Sequence, residues 1–213
     1  MTHSGESRKP PRLGIFGGTF DPVHYGHLLL AECCREQCEL DEVWFLPAAS
    51  PPHKRQRELT PAPLRIEMLE LAIGGHKPFS VCRLEVQRGG LSYTVDTLAE
   101  INQQRPDAEL FFLLGGDSWH DLPSWKQPER ICELATVVIV RRPPLPAIEL
   151  AALSQAAFVG AQGRPPVVVE MPQIDLASRE LRQRVAHGQS IRFRTPRAVE
   201  KYIETHGLYR TSE

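Results

Sequence analysis

A chain of 213 residues, 41% hydrophobic and 24% charged, has room for a sizeable core and the composition of a globular protein, not a disordered or fibrous one. Its 25 Lys and Arg against 26 Asp and Glu leave a formal net charge of −1. That excludes an overall basic field for a nucleic-acid backbone, so any anion site must be local. The polar start, Met1 to Pro11, has no apolar stretch of signal-peptide length, and runs such as Ala135–Val140 are too short for a bilayer. A cytoplasmic protein with no membrane or nucleic-acid partner is expected. The five cysteines are an odd number for a disulfide framework; Cys33, Cys34 and Cys38 crowd one helix and read as packing in a reducing compartment.

Along the chain, Arg12–Phe16 reads as a short buried strand ending in a glycine turn, followed by a helix from His24 to about Cys38. The alternation continues with a strand at Glu42–Pro47, a helix at Pro63–Ile73 and a strand at Phe79–Val86. A helix at Ser92–Gln104 is expected to open on a Ser or Thr cap. Next come a strand at Glu109–Leu114, a loop and helix over Asp117–Leu134, and an apolar strand at Thr136–Val140. Beyond Arg141-Arg142-Pro143-Pro144 the pattern predicts a helix near Ile148–Phe158, a strand at Val167–Met171, and helices at Ser178–His187 and Pro196–His206. Strand and helix in such alternation imply an α/β fold, a Rossmann-like parallel sheet with helices on both faces. With no repeat and no low-complexity linker, 1–213 reads as one domain. Its α/β core covers about 12–171, and a small helical C-terminal part about 172–213.

The chemistry concentrates after the first strand, in Gly14-Ile15-Phe16-Gly17-Gly18-Thr19-Phe20-Asp21-Pro22-Val23-His24-Tyr25-Gly26-His27. Glycines there let backbone N–H groups approach a phosphate, and the following helix aims its positive end at the same point. His24 and His27, three apart, project to one side of the first helical turn, and Gly26 leaves space between them. Two such rings can hydrogen-bond one polyphosphate. Ile15-Phe16 between Gly14 and Gly17 breaks the dinucleotide fingerprint Gly-x-Gly-x-x-Gly, and no Gly-Lys-Ser/Thr of a P-loop is present.

Gly18-Thr19-Phe20-Asp21-Pro22-Val23-His24-Tyr25-Gly26-His27 resembles the signature Gly-x-Phe-x-Pro-x-His-x-Gly-His of a nucleotidyltransferase superfamily, with every specified position filled. The second signature of that superfamily, Ile-Ser-Ser-Thr-x-Ile-Arg, is met in part by Leu176-Ala177-Ser178-Arg179-Glu180-Leu181-Arg182. Ala177 stands for its first serine and Arg179 for its threonine. Three further segments narrow the resemblance to the bacterial nicotinate-mononucleotide adenylyltransferases: Pro51-Pro52-His53-Lys54, Ser92-Tyr93-Thr94-Val95-Asp96-Thr97-Leu98, and Gly115-Gly116-Asp117 with Trp125.

The resemblance implies transfer of AMP from ATP to nicotinate mononucleotide, giving deamido-NAD and pyrophosphate, with His24 and His27 as catalytic residues. It implies ATP at Gly17, Gly18, Thr19, Phe20, Lys54, Gly115, Asp117, Ser178, Arg179 and Arg182. Nicotinate mononucleotide is implied at His53, Tyr93, Thr94, Val95, Trp125, Lys126 and Arg142. Mg²⁺ is expected on the ATP phosphates and water, with no protein ligand set. Trp44 and Trp119 are assigned to packing. Other superfamily activities stay open at this stage, among them an amide-preferring adenylyltransferase, a pantetheine-phosphate adenylyltransferase and a cytidylyltransferase. So does a nucleotide-sensing regulator without turnover.

Overall fold

The computed structural model describes residues 9–49, 59–141 and 163–210, with the backbone alone at Asp117. The predicted helix near Ile148–Phe158, together with His53, Lys54 and Arg142, lies outside the described residues.

Six strands are described: β1 (Arg12–Gly18), β2 (Glu42–Pro47), β3 (Phe79–Val81), β4 (Glu109–Gly115), β5 (Thr136–Arg141) and β6 (Val167–Glu170). They form one sheet in the order β3-β2-β1-β4-β5-β6, and every neighbouring pair is parallel. Alternate residues of β1, β2, β4, β5 and β6 enter two separate apolar clusters, as the twofold strand period requires. In β4, Phe111 and Leu113 face one cluster while Leu110, Phe112 and Leu114 face the other. In β5, Val138 and Val140 oppose Val137 and Ile139 in the same way.

Helices cover both faces. The first cluster is closed by α1 (Tyr25–Gln37) and α2 (Ala62–Ile73), through Leu30, Ala31, Cys34, Met68 and Leu69. The second is closed by the short α3 (Leu84–Arg88), α4 (Thr94–Gln104), α5 (Gly116–Asp121) and α6 (Pro128–Leu134), through Leu84, Leu98, Trp119 and Ile131. The C-terminal helices α7 (Ser178–Ala186) and α8 (Arg197–Thr205) return to the first face, where Leu181, Val199 and Ile203 join the α1 and α2 cluster.

Two expectations are corrected. The strand expected over Phe79–Val86 stops at Val81, and Leu84–Arg88 turns into a helix. Phe79 and Val81 pack on the first cluster, whereas Leu84 belongs to the second, which the helix reaches by turning away from the strand. Nor does α4 open on a Ser or Thr cap; its first flanking residue is Tyr93, with no side-chain cap bond.

The strand order reverses between β1 and β4, because β2 lies on one side of β1 and β4 on the other. In open parallel sheets the crevice at the carboxyl ends of strands flanking such a reversal is where ligands bind. The glycine-rich segment leaves β1 at that point, and Gly115 leaves β4 beside it.

Candidate active site

The segment between β1 and α1 is fixed almost entirely through its backbone. Arg182 donates from Nη1 to the Asp21 carbonyl at 2.5 Å, Ser178 from Oγ to the Pro22 carbonyl at 2.8 Å, and Thr195 from Oγ1 to the Val23 carbonyl at 2.8 Å. The Tyr25 N–H donates to the Arg194 carbonyl at 3.1 Å. Tyr209 donates its hydroxyl to Asp21 Oδ1 at 2.7 Å, and burial, together with the nearby Asp21 carboxylate, pushes the Tyr209 phenol pKa up. The C-terminal part thus grips three successive carbonyls of the motif.

From the other side comes Arg65, 1% exposed on α2. Its Nη1 donates to the Thr19 carbonyl at 2.7 Å, Nη2 to the Ala48 carbonyl at 2.8 Å and Nε to the Thr60 carbonyl at 2.8 Å. Burial lowers its pKa, while the charge of Asp21 raises it. Arg65 was not singled out from the sequence, although it sits on the buried face of α2 with Leu69 and Ile73, at four- and eight-residue spacing. An arginine in an otherwise apolar stripe was the available signal.

At the start of α1 the two histidine rings stack, with centroids 3.7 Å apart and planes 25° apart. His24 flanks the helix and is buried. The His24 N–H donates to His27 Nδ1 at 3.2 Å. That bond makes Nδ1 an acceptor, so a neutral His27 carries its proton on Nε2 and offers it as a donor. The edge of Phe20 meets the His27 ring at 5.1 Å.

Gly26 has a specific reason to be glycine. A Cβ there would lie 3.0 Å from His24 Nδ1 and 3.1 Å from Cε1, a crowding that moves the ring. Gly26→Ala is therefore expected to displace His24 and lower kcat by about tenfold or more, as steady-state assays would show. Unchanged turnover would mean that the position of the ring is immaterial. At Gly18 a Cβ would meet the Phe20 ring at 2.9 Å, so the buried Phe20 packs against the turn and only its backbone is placed to meet a ligand.

A cavity of about 270 Å³ opens beside this turn, lined on one side by Gly17, Gly18 and Thr19 and on the other by Tyr93, Thr94 and Trp125. Trp125 is held edge-on against Phe112, with centroids 6.1 Å apart. Lys126, also in the lining, is bound to both oxygens of Asp96 at 3.0 and 2.9 Å and lies 4.7 Å from the centre of the Tyr93 ring. Val95 is not in that lining; it is buried in the second cluster. Gly115 flanks the start of α5, and Asp117 falls within that helix. Arg179 is exposed on α7, one turn from Arg182. Of the tryptophans assigned to packing, Trp119 is 6% exposed, and Trp44 packs partly buried against the second cluster.

The cavity is also lined by Ser92 and Thr97, from the quoted Ser92–Leu98 segment, and by Glu85, which the motifs did not include. Thr97 donates from Oγ1 to Glu85 Oε1 at 2.9 Å and accepts from Arg88 Nη2 at 2.8 Å. Burial raises the Glu85 pKa, against the lowering influence of Thr97, Ser92 and Arg88. Glu85 was concealed by the strand expected over this stretch. Among the described residues no group of three or more His, Cys, Asp or Glu side chains is gathered that could hold a metal ion, and no helix is long and apolar enough to cross a membrane.

Known proteins place this architecture. The cytidylyltransferase-like family matches residues 15–184. Among curated proteins, one from Thermomicrobium roseum named "Probable nicotinate-nucleotide adenylyltransferase" is 48% identical over 95% of this chain and 93% of its own length. One of the same name from Thermus thermophilus is 47% identical over 93% of this chain and its whole length. The chain belongs to the nicotinate-nucleotide adenylyltransferase family. The solved nicotinic acid mononucleotide adenylyltransferase of Plasmodium falciparum, complexed with NaAD, shares the fold of this adenylyltransferase. It superimposes with a TM-score of 0.77 at 20% identity, covering 93% of this chain and 97% of that one.

Proposed function

We propose that this adenylyltransferase transfers AMP from ATP to nicotinate mononucleotide, giving deamido-NAD and pyrophosphate. The observation that carries the reading is the continuity of one cavity from the Gly17–Thr19 turn to the face of Trp125. Such a cavity can hold a phosphate and an aromatic ring of the same acceptor.

In the proposed reaction an oxygen of the nicotinate mononucleotide phosphate attacks the α-phosphorus of ATP, forming one P–O bond while the bond to pyrophosphate breaks. The attacking phosphate is already ionised at neutral pH, so no protein nucleophile is required. Catalysis reduces to aligning two anions and neutralising charge on the α-phosphoryl group and the leaving pyrophosphate. His24 and His27 supply donors to that charge. The N–H groups of Gly17 to Phe20 and the start of α1 receive phosphate oxygens. Gly115 and Asp117, at the carboxyl end of β4, are assigned to the ribose and base side of ATP. Ser178 and Arg182 are assigned to the β and γ phosphates, and Arg179 supplements them from the same turn of α7. Ser178 and Arg182 also hold the motif backbone, so this assignment gives the residues that shape the turn a part in meeting its ligand. Lys54 is assigned to the triphosphate, and His53 and Arg142 to the acceptor, by their positions in the motifs. Mg²⁺ arrives with ATP, held by phosphates and water.

For the acceptor, Tyr93, Thr94 and Trp125 form the ring site, with Val95 behind it and Lys126 at its mouth. The start of α4 carries no side-chain cap, so its first N–H groups stay available to a carboxylate, which only accepts. A carboxamide would turn its NH₂ toward those donors. Sites built on such polar matching reject the wrong group strongly. The kcat/KM for nicotinate mononucleotide is expected to exceed that for nicotinamide mononucleotide by at least about a hundredfold, roughly 2.7 kcal/mol. Pyrophosphate release from ATP with a panel of acceptors measures this. Equal values for the two acceptors would remove the acid preference, and no release with either would remove the reading. We place the enzyme in the cytoplasm as one domain, in keeping with the free state of all five cysteines.

A further inference from the structure

Glu85 lies at a cavity wall otherwise built largely from Ile15, Leu46, Leu98, Phe112 and Ile131. An ionised carboxylate among such side chains is costly unless another charge meets it. Among the described residues that charge is weakly answered. Thr97, the donor to Glu85, is neutral, and Arg88 beyond it is already paired through Nη1 with Glu100 at 3.1 Å. Lys126 is occupied by both oxygens of Asp96. Arg88 and Lys126 are thus each matched by another carboxylate, and the negative charge of Glu85 is left over. Ser92 and Cys82 contribute no positive charge, so Arg88, shared with Glu100, is the one cation acting on Glu85 among the described residues.

The same cavity has an aromatic lining residue, Trp125. The face of Trp125, held in place by Phe112, attracts cations through its quadrupole. An anion and an aromatic face lining one cavity make a site for a flat ring that carries a positive charge. We infer that Glu85 is a specificity-determining residue, the counter-charge that selects a cationic pyridinium ring over a neutral ring of the same shape. The inference rests on the nicotinate mononucleotide reading and adds which charge of that zwitterionic ring the cavity wall recognises. The start of α4 meets the ring carboxylate; Glu85 meets the ring cation.

The test pairs nicotinate mononucleotide with its 1,4-dihydro form, which keeps the carboxylate, ribose and phosphate but has an uncharged ring. Dissociation constants are measured by calorimetry on the full-length protein, and kcat/KM with ATP for both acceptors. The wild-type protein is expected to bind the cationic ring at least about tenfold more tightly than the neutral one, as a partly desolvated charge pair allows. In Glu85→Gln that ratio falls to about twofold or less, and in Glu85→Asp, which restores the charge, most of it returns. Equal wild-type binding of the two rings overturns the inference without any variant. So does Glu85→Gln if both rings weaken in the same proportion, the mark of a merely structural role. A wild-type protein that binds the dihydro form alone also overturns it. One that binds neither ring overturns both this inference and the reading beneath it.

Discussion

Alanine at His24 or at His27 is expected to lower kcat by on the order of a hundredfold or more, because each ring is a preorganised donor to charge that develops at the transferring phosphoryl group. The rings stack at 3.7 Å, so they act as one surface, and losing either leaves the other without its lateral support. The double variant should consequently lose far less than the product of the two single losses. Rapid-quench measurement of a single turnover, with circular dichroism to confirm the fold, decides the matter. Near-normal turnover in both single variants would sink the mechanism. His27→Asn is the sharper probe. An amide can reproduce the acceptor that the His24 N–H meets at 3.2 Å, restoring local structure while removing the Nε2–H.

Arg65→Met should have the largest effect on stability, about 3–5 kcal/mol, since breaking a buried, charge-assisted network strands its remaining partners. The partners here are the carbonyls of Thr19, Ala48 and Thr60, each within 2.8 Å of a guanidinium nitrogen. Methionine fills much of the volume and accepts none of the burden. In a chain of this size the melting temperature should fall by on the order of 10 °C. Arg65→Lys should recover only part of that, because a single ammonium cannot reach three carbonyls disposed for a planar fork. Urea denaturation of the three proteins measures it, and a loss within about 1 kcal/mol for the methionine variant would show that water replaces the guanidinium at little cost.

What could be read from the sequence follows from how local each signal was. Glu42–Pro47 agrees to the residue with β2, and the apolar run at Thr136–Val140 extends by only Arg141 in β5. Both are continuous apolar stretches bounded by polar residues, the mark of a strand covered on two faces. The histidine pair was legible because glycine and histidine were dictated by contacts within four residues, as the clash predicted at Gly26 shows. Glu85 and Arg65 were not, because their partners lie far along the chain or on another element. Thr97 is 12 residues from Glu85, and Thr19 is 46 from Arg65. Ser178 and Arg182 were legible as residue types in a motif, but their grip on Pro22 and Asp21 spans 156 and 161 residues, and no local pattern announces it.

That long reach has a consequence for how the protein folds. The carbonyls of Asp21, Pro22 and Val23 are held by Arg182, Ser178 and Thr195, side chains that follow them in the chain by 156 to 172 residues. Until those side chains dock, the motif is held from a distance at Thr19, by Arg65, and closing so long a loop must wait for the sheet between to form. The turn that carries the histidine pair is therefore among the later parts of the fold to take its final shape, after the sheet that brings its two ends together.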